Sequence, residues 1–374
     1  KLSTMSESSS CDSETDNIQF KDNEEWADIT PLPQDEGPEP ICPIAYSPEF
    51  VECMNYFRAI LKKDERSERA LKLTAAVIAL NPANYTAWHF RRLCLDATKS
   101  DLNLELDEFV QGLSKRNPKN YQMWHHRRAC TERLMSELFG DCAHLNSLES
   151  LLEDADDDAK ATAHMCAARE LKFCQAQILL DAKNLHAWSH RQWIVKWFCT
   201  WQNELTYINS VIEDDHRNNS AWNHRFFVIT SQPKKPSRKA EVQYAMKFIN
   251  KSPNNTAPWS YVHGLLFFSG AQSLHCNDEE ENDNETDFEE LLTFVELFCE
   301  EKKKSAPACS PTVSLLLDIV VWRANQVKES NDDAKAQLQT LKEKAFALCD
   351  VLAKERDQLH SNYWNWRKSK LFKK

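Results

Sequence analysis

Five stretches of this 374-residue chain place asparagine four residues ahead of tryptophan: Asn84 and Trp88, Asn120 and Trp124, Asn184 and Trp188, Asn218 and Trp222, Asn255 and Trp259. The residues just before each asparagine are Ala83, Lys119, Lys183, Arg217 and Asn254, so three successive stretches carry a cation there. If each asparagine starts a helix, these cations sit beside unpaired N–H groups and the positive end of a helix dipole. Side by side they would form a basic ledge suited to a phosphate or diphosphate. The competing reading is that they pair with acidic residues of the next unit. Two residues after each asparagine stand Thr86, Gln122, His186, Ser220 and Ala257. The larger hydrogen-bonding groups, Gln122 and His186, fall in the stretches that carry Lys119 and Lys183, as a binding face confined to the middle of an array would require.

Other chemistry is excluded on spacing. His125 and His126 look metal-like, but neighbours on a helix point to different sides, and no carboxylate or thiolate lies at ligand spacing. The acidic runs Glu153–Asp158 and Asp278–Glu290 lack EF-hand spacing with its central glycine. No GxSxG, P-loop, GxGxxG or HExxH occurs. No catalytic constellation is complete within the chain, and no metal ligand is assigned to it.

The elements that must position these residues follow from the same frame. Asparagine is a good helix N-cap, tryptophan then lies one turn in, and arginine follows three residues later in four of the five stretches (Arg91, Arg127, Arg191, Arg225; Val262 in the fifth). Segments such as Arg69–Leu80 and Leu205–Glu213 precede the frames with apolar residues at helical spacing. Each unit therefore reads as helix, turn, helix, with the tryptophan as packing wedge and the arginine structural. The tryptophans are 36, 64, 34 and 37 residues apart. That period predicts an all-α superhelical array of helical hairpins, tetratricopeptide-like. The 64 is one period plus an insertion of about 30 residues at 136–169, read as an exposed, partly helical loop. Residues 1–25 read as a disordered acidic tail, 26–48 as an extended proline-rich lead-in, and 49–374 as the repeat domain. Within it Phe288–Cys299, Val313–Trp322 and Asp333–Asp350 read as further helices, closed by Trp364 and Trp366.

Composition agrees. Five glycines stand against roughly 26 at average usage, beside 12 tryptophans and 18 phenylalanines, which disfavours hairpin-rich sheets and glycine phosphate loops. A net charge of −11 argues against a nucleic-acid binder. Thirteen cysteines without a CxxC pair read as buried free thiols, which fits the cytoplasm. No signal segment or transmembrane run is expected.

Longer words carry a resemblance. Asp64–Ala70, Asn84–Arg92, Pro118–Arg128, Asn184–Trp193 and Arg217–Arg225, with the lead-in Glu25–Asp28 and Pro31–Gln34, closely resemble the alpha subunits shared by protein farnesyltransferase and geranylgeranyltransferase type I. The resemblance runs from about residue 25 to 270 and more weakly beyond. It implies a crescent of helical hairpins around a beta subunit that holds the catalytic zinc and most of the isoprenoid pocket. The heterodimer would transfer a prenyl group from farnesyl or geranylgeranyl diphosphate, with magnesium near the diphosphate, to the cysteine of a C-terminal CaaX box. By motif Lys119 is the catalytic lysine near the diphosphate, Tyr121 contacts the diphosphate region, Gln122 accepts the peptide's C-terminal end and His186 lines the same site. The family usually has tyrosine before that histidine, where this chain has Leu185, and the insertion is unusual. A non-catalytic helical-repeat scaffold binding peptides is the alternative. The alpha subunit of Rab geranylgeranyltransferase fits the Asp64–Ala70 word and the lead-in less well.

Overall fold

The computed structural model describes residues 20–372 except residue 22, residues 269–284 and residue 329, and all regular elements among the described residues are helical. Two compact units divide between Cys199 and Thr200. The first contains α1 (Pro48–Lys63), α2 (Glu68–Leu80), α3 (Tyr85–Thr98), α4 (Leu102–Leu104), a π-helical stretch Glu105–Val110, α5 (Gln111–Arg116), α6 (Tyr121–Phe139), α7 (Glu149–Asp154), α8 (Asp157–Leu180) and α9 (Leu185–Trp197). The second contains α10 (Glu204–Asp214), α11 (Asn219–Ser231), α12 (Arg238–Lys251), α13 (Thr256–Phe267), α14 (Glu285–Ser305), α15 (Ser310–Gln326), α16 (Asp332–Val351) and α17 (Ser361–Lys370). Within each unit successive helices pair as hairpins, as the repeat predicts.

The turns show why the frame recurs. Each of the five asparagines is an N-cap whose Oδ1 accepts first-turn N–H groups, as at Asn184 from His186 (3.0 Å) and Ala187 (3.3 Å). Each tryptophan is buried, and its indole N–H donates to the carbonyl six residues back: Trp88 to Pro82, Trp124 to Pro118, Trp188 to Ala182, Trp222 to His216 and Trp259 to Pro253, at 2.8–3.0 Å. The same carbonyl also receives the next frame's asparagine amide. Asn120 Nδ2 reaches Pro82 at 2.7 Å, Asn184 Nδ2 reaches Pro118 at 3.0 Å, and Asn255 Nδ2 reaches His216 at 2.8 Å. Both lone pairs of one oxygen are thus used, one within a hairpin and one between hairpins. Asn184→Asp keeps the cap acceptor but turns an oxygen toward the Pro118 carbonyl. It should therefore destabilise the chain by about 1–3 kcal/mol in urea unfolding. Wild-type stability in that variant would mean that the clamp contributes nothing.

A sixth frame lies beyond the five legible in the sequence. Cys309 occupies the N-cap of α15, and its thiol donates to the Pro253 carbonyl where another chain position would offer an asparagine amide (3.0 Å). Val313 stands where the tryptophan would be and is fully buried.

Three frame arginines pair with carboxylates that spacing alone does not reveal. Arg91 is bidentate to Glu105 (2.7 and 2.7 Å), Arg127 to Glu170 (2.7 and 2.8 Å) and Arg225 to Glu241 (2.8 and 2.8 Å), all buried. Each carboxylate also binds the second helix of its own hairpin: Glu105 to His126 Nε2 (2.8 Å), Glu170 to His190 Nε2 (2.9 Å) and Glu241 to the Tyr261 hydroxyl. A glutamate on the first helix of one hairpin therefore stitches that hairpin to the arginine of the one before. The reading of the late arginine as structural agrees with this burial. His126 points inward and His125 outward, as neighbouring helix positions require.

Two regions depart from the sequence reading. The insertion is not an exposed loop. Its Cys142, Leu148 and Ala163 are fully buried with Met135, Ile194, Trp197 and Phe198 in a core of their own. Leu148 N–H donates to the Trp197 carbonyl (2.7 Å), and the Trp197 indole donates back to the Leu145 carbonyl (3.2 Å). The exposed acidic run Glu153–Asp158 spans the end of α7 and the start of α8. Asp156 caps Ala159 N–H at 2.8 Å, and Asp157 and Asp158 sit at the positive end of the dipole. The packed chain also begins before residue 25. Phe20 is buried, with its ring stacked on Tyr56 (4.7 Å) and edge-on to Trp26. Residues 1–19, read as part of a disordered tail, and 278–284, the first part of the second acidic run, lie outside the described residues, and α14 begins at Glu285. Trp364 is buried in α17, whereas Trp366 is exposed.

Candidate active site

Lys119, Tyr121 and Gln122 surround the N-cap of α6, and Leu185 and His186 follow the N-cap of α9. The Asn120 side chain holds the first turn of α6 by accepting from Gln122 N–H (2.9 Å) and Met123 N–H (3.1 Å). This fixes which way the next residues face. Tyr121 points out, 62% exposed, while Gln122 is buried one turn above His126 on the same face. His186 is half-buried, and Leu185 is 72% exposed, so the hydroxyl the family usually carries at that position would project to solvent.

The two helix starts are joined by two bonds. The Asn184 amide donates to Pro118, the residue before Lys119, at 3.0 Å. The Lys119 ammonium meets Asp181 Oδ2 at 2.9 Å, three residues before the cap of α9. The structure thus brings Lys119, Tyr121 and Gln122 beside His186 within one unit. Lys183 lies in the same unit and is exposed. Arg217 belongs to the other unit, where its guanidinium contacts Ser252 Oγ at 3.4 Å. For Lys119 the competing reading of the cations applies: it pairs with an acid of the next hairpin. The hydrogen bond from Lys119, then the Lys183 backbone N–H, holds the Asp181 carboxyl below the ordinary aspartate value.

Asp181 is the site residue that sequence comparison missed. Its signal is present nonetheless. The position three before each cap holds Asn81, Asn117, Asp181, Asp215 and Ser252, and the side chain there can close a small turn. Asn81 accepts from Ala83 N–H (3.1 Å), Asp181 from Lys183 N–H (3.0 Å) and Asp215 from Arg217 N–H (2.9 Å). What the sequence hides is the second oxygen of Asp181, which turns to a lysine 62 residues earlier.

Among the described residues no group of three or more His, Cys, Asp or Glu side chains is placed to hold a metal. Eleven described cysteines are free, and nine of them are buried. Burial pushes the thiols of Cys53 and Cys130 up to about 12 and that of Cys94 to about 11, so none of these three is poised as a nucleophile.

Comparison with known proteins is consistent with this geometry. The family described as protein prenyltransferase alpha subunit repeat matches residues 67–98, 105–134, 167–198 and 201–232, each stretch ending at or near the end of a frame helix; the insertion falls between the second and third. A protein farnesyltransferase/geranylgeranyltransferase type-1 subunit alpha from Pisum sativum is 37% identical over 371 residues, covering 96% of each chain. The subunit of that name from Dictyostelium discoideum is 37% identical over 354 residues, covering 94% of this chain and 93% of its own length. Among solved structures, Candida albicans protein geranylgeranyltransferase-I complexed with GGPP matches with a TM-score of 0.67 and 26% identity, over 92% of this chain and 98% of that one.

Proposed function

The chain belongs to the protein prenyltransferase alpha subunit family, and from that membership we propose that it pairs with a beta subunit to transfer farnesyl or geranylgeranyl from the diphosphate to the cysteine of a C-terminal CaaX box. The observation that carries the reading is the single edge on which Lys119, Tyr121, Gln122 and His186 stand at two adjoining helix starts. In the reaction the cysteine sulfur bonds to C1 of the isoprenoid as the C1–O bond breaks, and the electron pair leaves on the diphosphate. The Lys119 ammonium, supported by the N-terminus of α6, stabilises that growing charge more in the transition state than before it. Tyr121 meets the diphosphate region from the exposed side. Gln122 and His186 orient the peptide's C-terminal end.

Zinc held by the beta subunit would keep the substrate cysteine as a thiolate by lowering its pKa, and magnesium near the diphosphate would share its charge. Among this chain's described residues no group of three or more His, Cys, Asp or Glu gathers to hold zinc. The choice between the two isoprenoids belongs to the beta subunit's pocket. None of the described helices is long and apolar enough to cross a membrane. The reading places the heterodimer in the cytoplasm, where the free cysteines stay reduced. A non-catalytic peptide-binding scaffold is disfavoured by the near-full-length similarity to prenyltransferase subunits.

Co-expression with a prenyltransferase beta subunit should yield a heterodimer that moves farnesyl or geranylgeranyl from its diphosphate to a CaaX peptide, with neither chain active alone. Failure to recover any beta subunit, or transfer by this chain unassisted, would sink the proposal.

A further inference from the structure

The Lys119–Asp181 pair stands at the edge just assigned to the diphosphate, yet nothing in the motif gives Asp181 a role. Its carboxylate is anchored on one side. Oδ1 accepts Lys183 N–H at 3.0 Å, and its own backbone N–H donates to the Gln177 carbonyl at 3.0 Å. The Asp181 carbonyl accepts Asn184 N–H at 3.0 Å, and the Asn184 amide clamps this turn to Pro118. Two rigid elements therefore fix the distance between the backbone of Lys119 and Oδ2 of Asp181. The lysine side chain between them is 71% exposed and has no packing of its own to hold it.

We propose that Asp181 is a positioning residue for the transfer reaction: through Oδ2 it holds the Lys119 ammonium over the start of α9, beside His186, in the place where charge develops on the leaving diphosphate. This rests on the catalytic reading of Lys119. A long ammonium side chain that must be gathered from many rotamers contributes less to the transition state than one already placed. The arrangement has a second effect. A carboxylate beside an anion site weakens ground-state binding of the diphosphate, so removing it should tighten that binding while slowing the chemistry.

Asp181→Asn isolates the charge. Asn81 fills the same position two hairpins back in the described fold and makes the same turn bond, so asparagine supports the local structure. In the heterodimer, with farnesyl diphosphate and a CaaX peptide, Asp181→Asn should lower kcat about fivefold, the scale of a modest loss of positioning. KM for farnesyl diphosphate should fall in parallel, and Asp181→Glu should recover part of the lost kcat. In a Lys119→Ala background Asp181→Asn should change kcat no further. An unchanged or raised kcat in Asp181→Asn overturns the proposal, as does a loss that multiplies with that of Lys119→Ala. A slow Lys119→Ala beside a fully active Asp181→Asn removes only the positioning role. Full activity in Lys119→Ala removes the catalytic reading, and the positioning role with it.

Discussion

Lys119→Ala, assembled with a beta subunit, should lose kcat on the order of 10²-fold, the scale of deleting one preorganised charge-stabilising donor. KM for the CaaX peptide should stay close to wild type. The asymmetry follows from where the ammonium stands. In the proposed assignment Lys119 serves the leaving diphosphate, held at Asp181 Oδ2, while Gln122 and His186 serve the peptide. Charge on the diphosphate is greater in the transition state than in the bound substrate, and an interaction that strengthens along the reaction appears in kcat. Lys119→Arg keeps the charge but changes its reach and donor geometry, so it should fall between the two. Steady-state kinetics with farnesyl diphosphate and peptide varied separately decides the matter. A variant that loses peptide affinity while keeping kcat would assign Lys119 to binding alone.

Glu170→Ala should be the most damaging single change to the fold. The carboxylate is fully buried between Arg127, bidentate at 2.7 and 2.8 Å, and His190 Nε2 at 2.9 Å, so its removal leaves a guanidinium buried without its counter-charge. Breaking such a pair costs about 3–5 kcal/mol, a large share of the 5–15 kcal/mol that typically holds a domain together. Replacing Arg127, Glu170 and His190 together with apolar residues of similar volume should cost far less, because no charge is then stranded. Urea unfolding followed by circular dichroism compares the variants. Equal losses in the single and triple replacements would mean that packing, not the charge network, carries the stability.

The same network predicts acid lability in two stages. Burial, offset in part by Glu170, holds His190 below the ordinary histidine value, and burial offset by Glu105 does the same for His126. The buried Nδ1 of His126 has no partner, which suits a neutral ring that donates through Nε2 to Glu105. A histidine that resists protonation when folded takes up its proton first in the unfolded chain, so stability falls as pH drops below about 6.5. Burial pushes Glu105 and Glu170 up, but the charges of Arg91 and Arg127 and bonds from the histidines bring both down to about 2. Their contribution is complete above the unfolded glutamate value and is lost as pH falls through about 2. An unfolding midpoint that stays flat from pH 7 to pH 4 would contradict the histidine stage.

The frame of asparagine, tryptophan and arginine could be read without coordinates because each of its parts is local. A cap bonds within its own first turn, and an indole reaches a carbonyl only six residues back, so sequence spacing alone implies the contact. The same locality made Lys119, Gln122 and His186 legible, as odd residues at fixed offsets from a cap. The sixth frame escaped because Cys309 replaces the amide with a thiol, and Val313 replaces the indole, while the backbone keeps its turn. The insertion was misread because nothing local shows what covers its apolar residues, among them Leu145, Leu148 and Ala163. Their burial depends on Trp197 and Phe198 returning from a later helix.

The sequence by itself determined the helical hairpins, their period and the edge on which the polar residues gather, since these depend on bonds closed within a turn. The tertiary structure alone decided which carboxylate answers which cation. Glu170 lies 43 residues from Arg127 and Asp181 lies 62 from Lys119, and separations of that size do not say which acid meets which cation. An ion pair depends on distance in space, and that distance is set only once two hairpins have stacked.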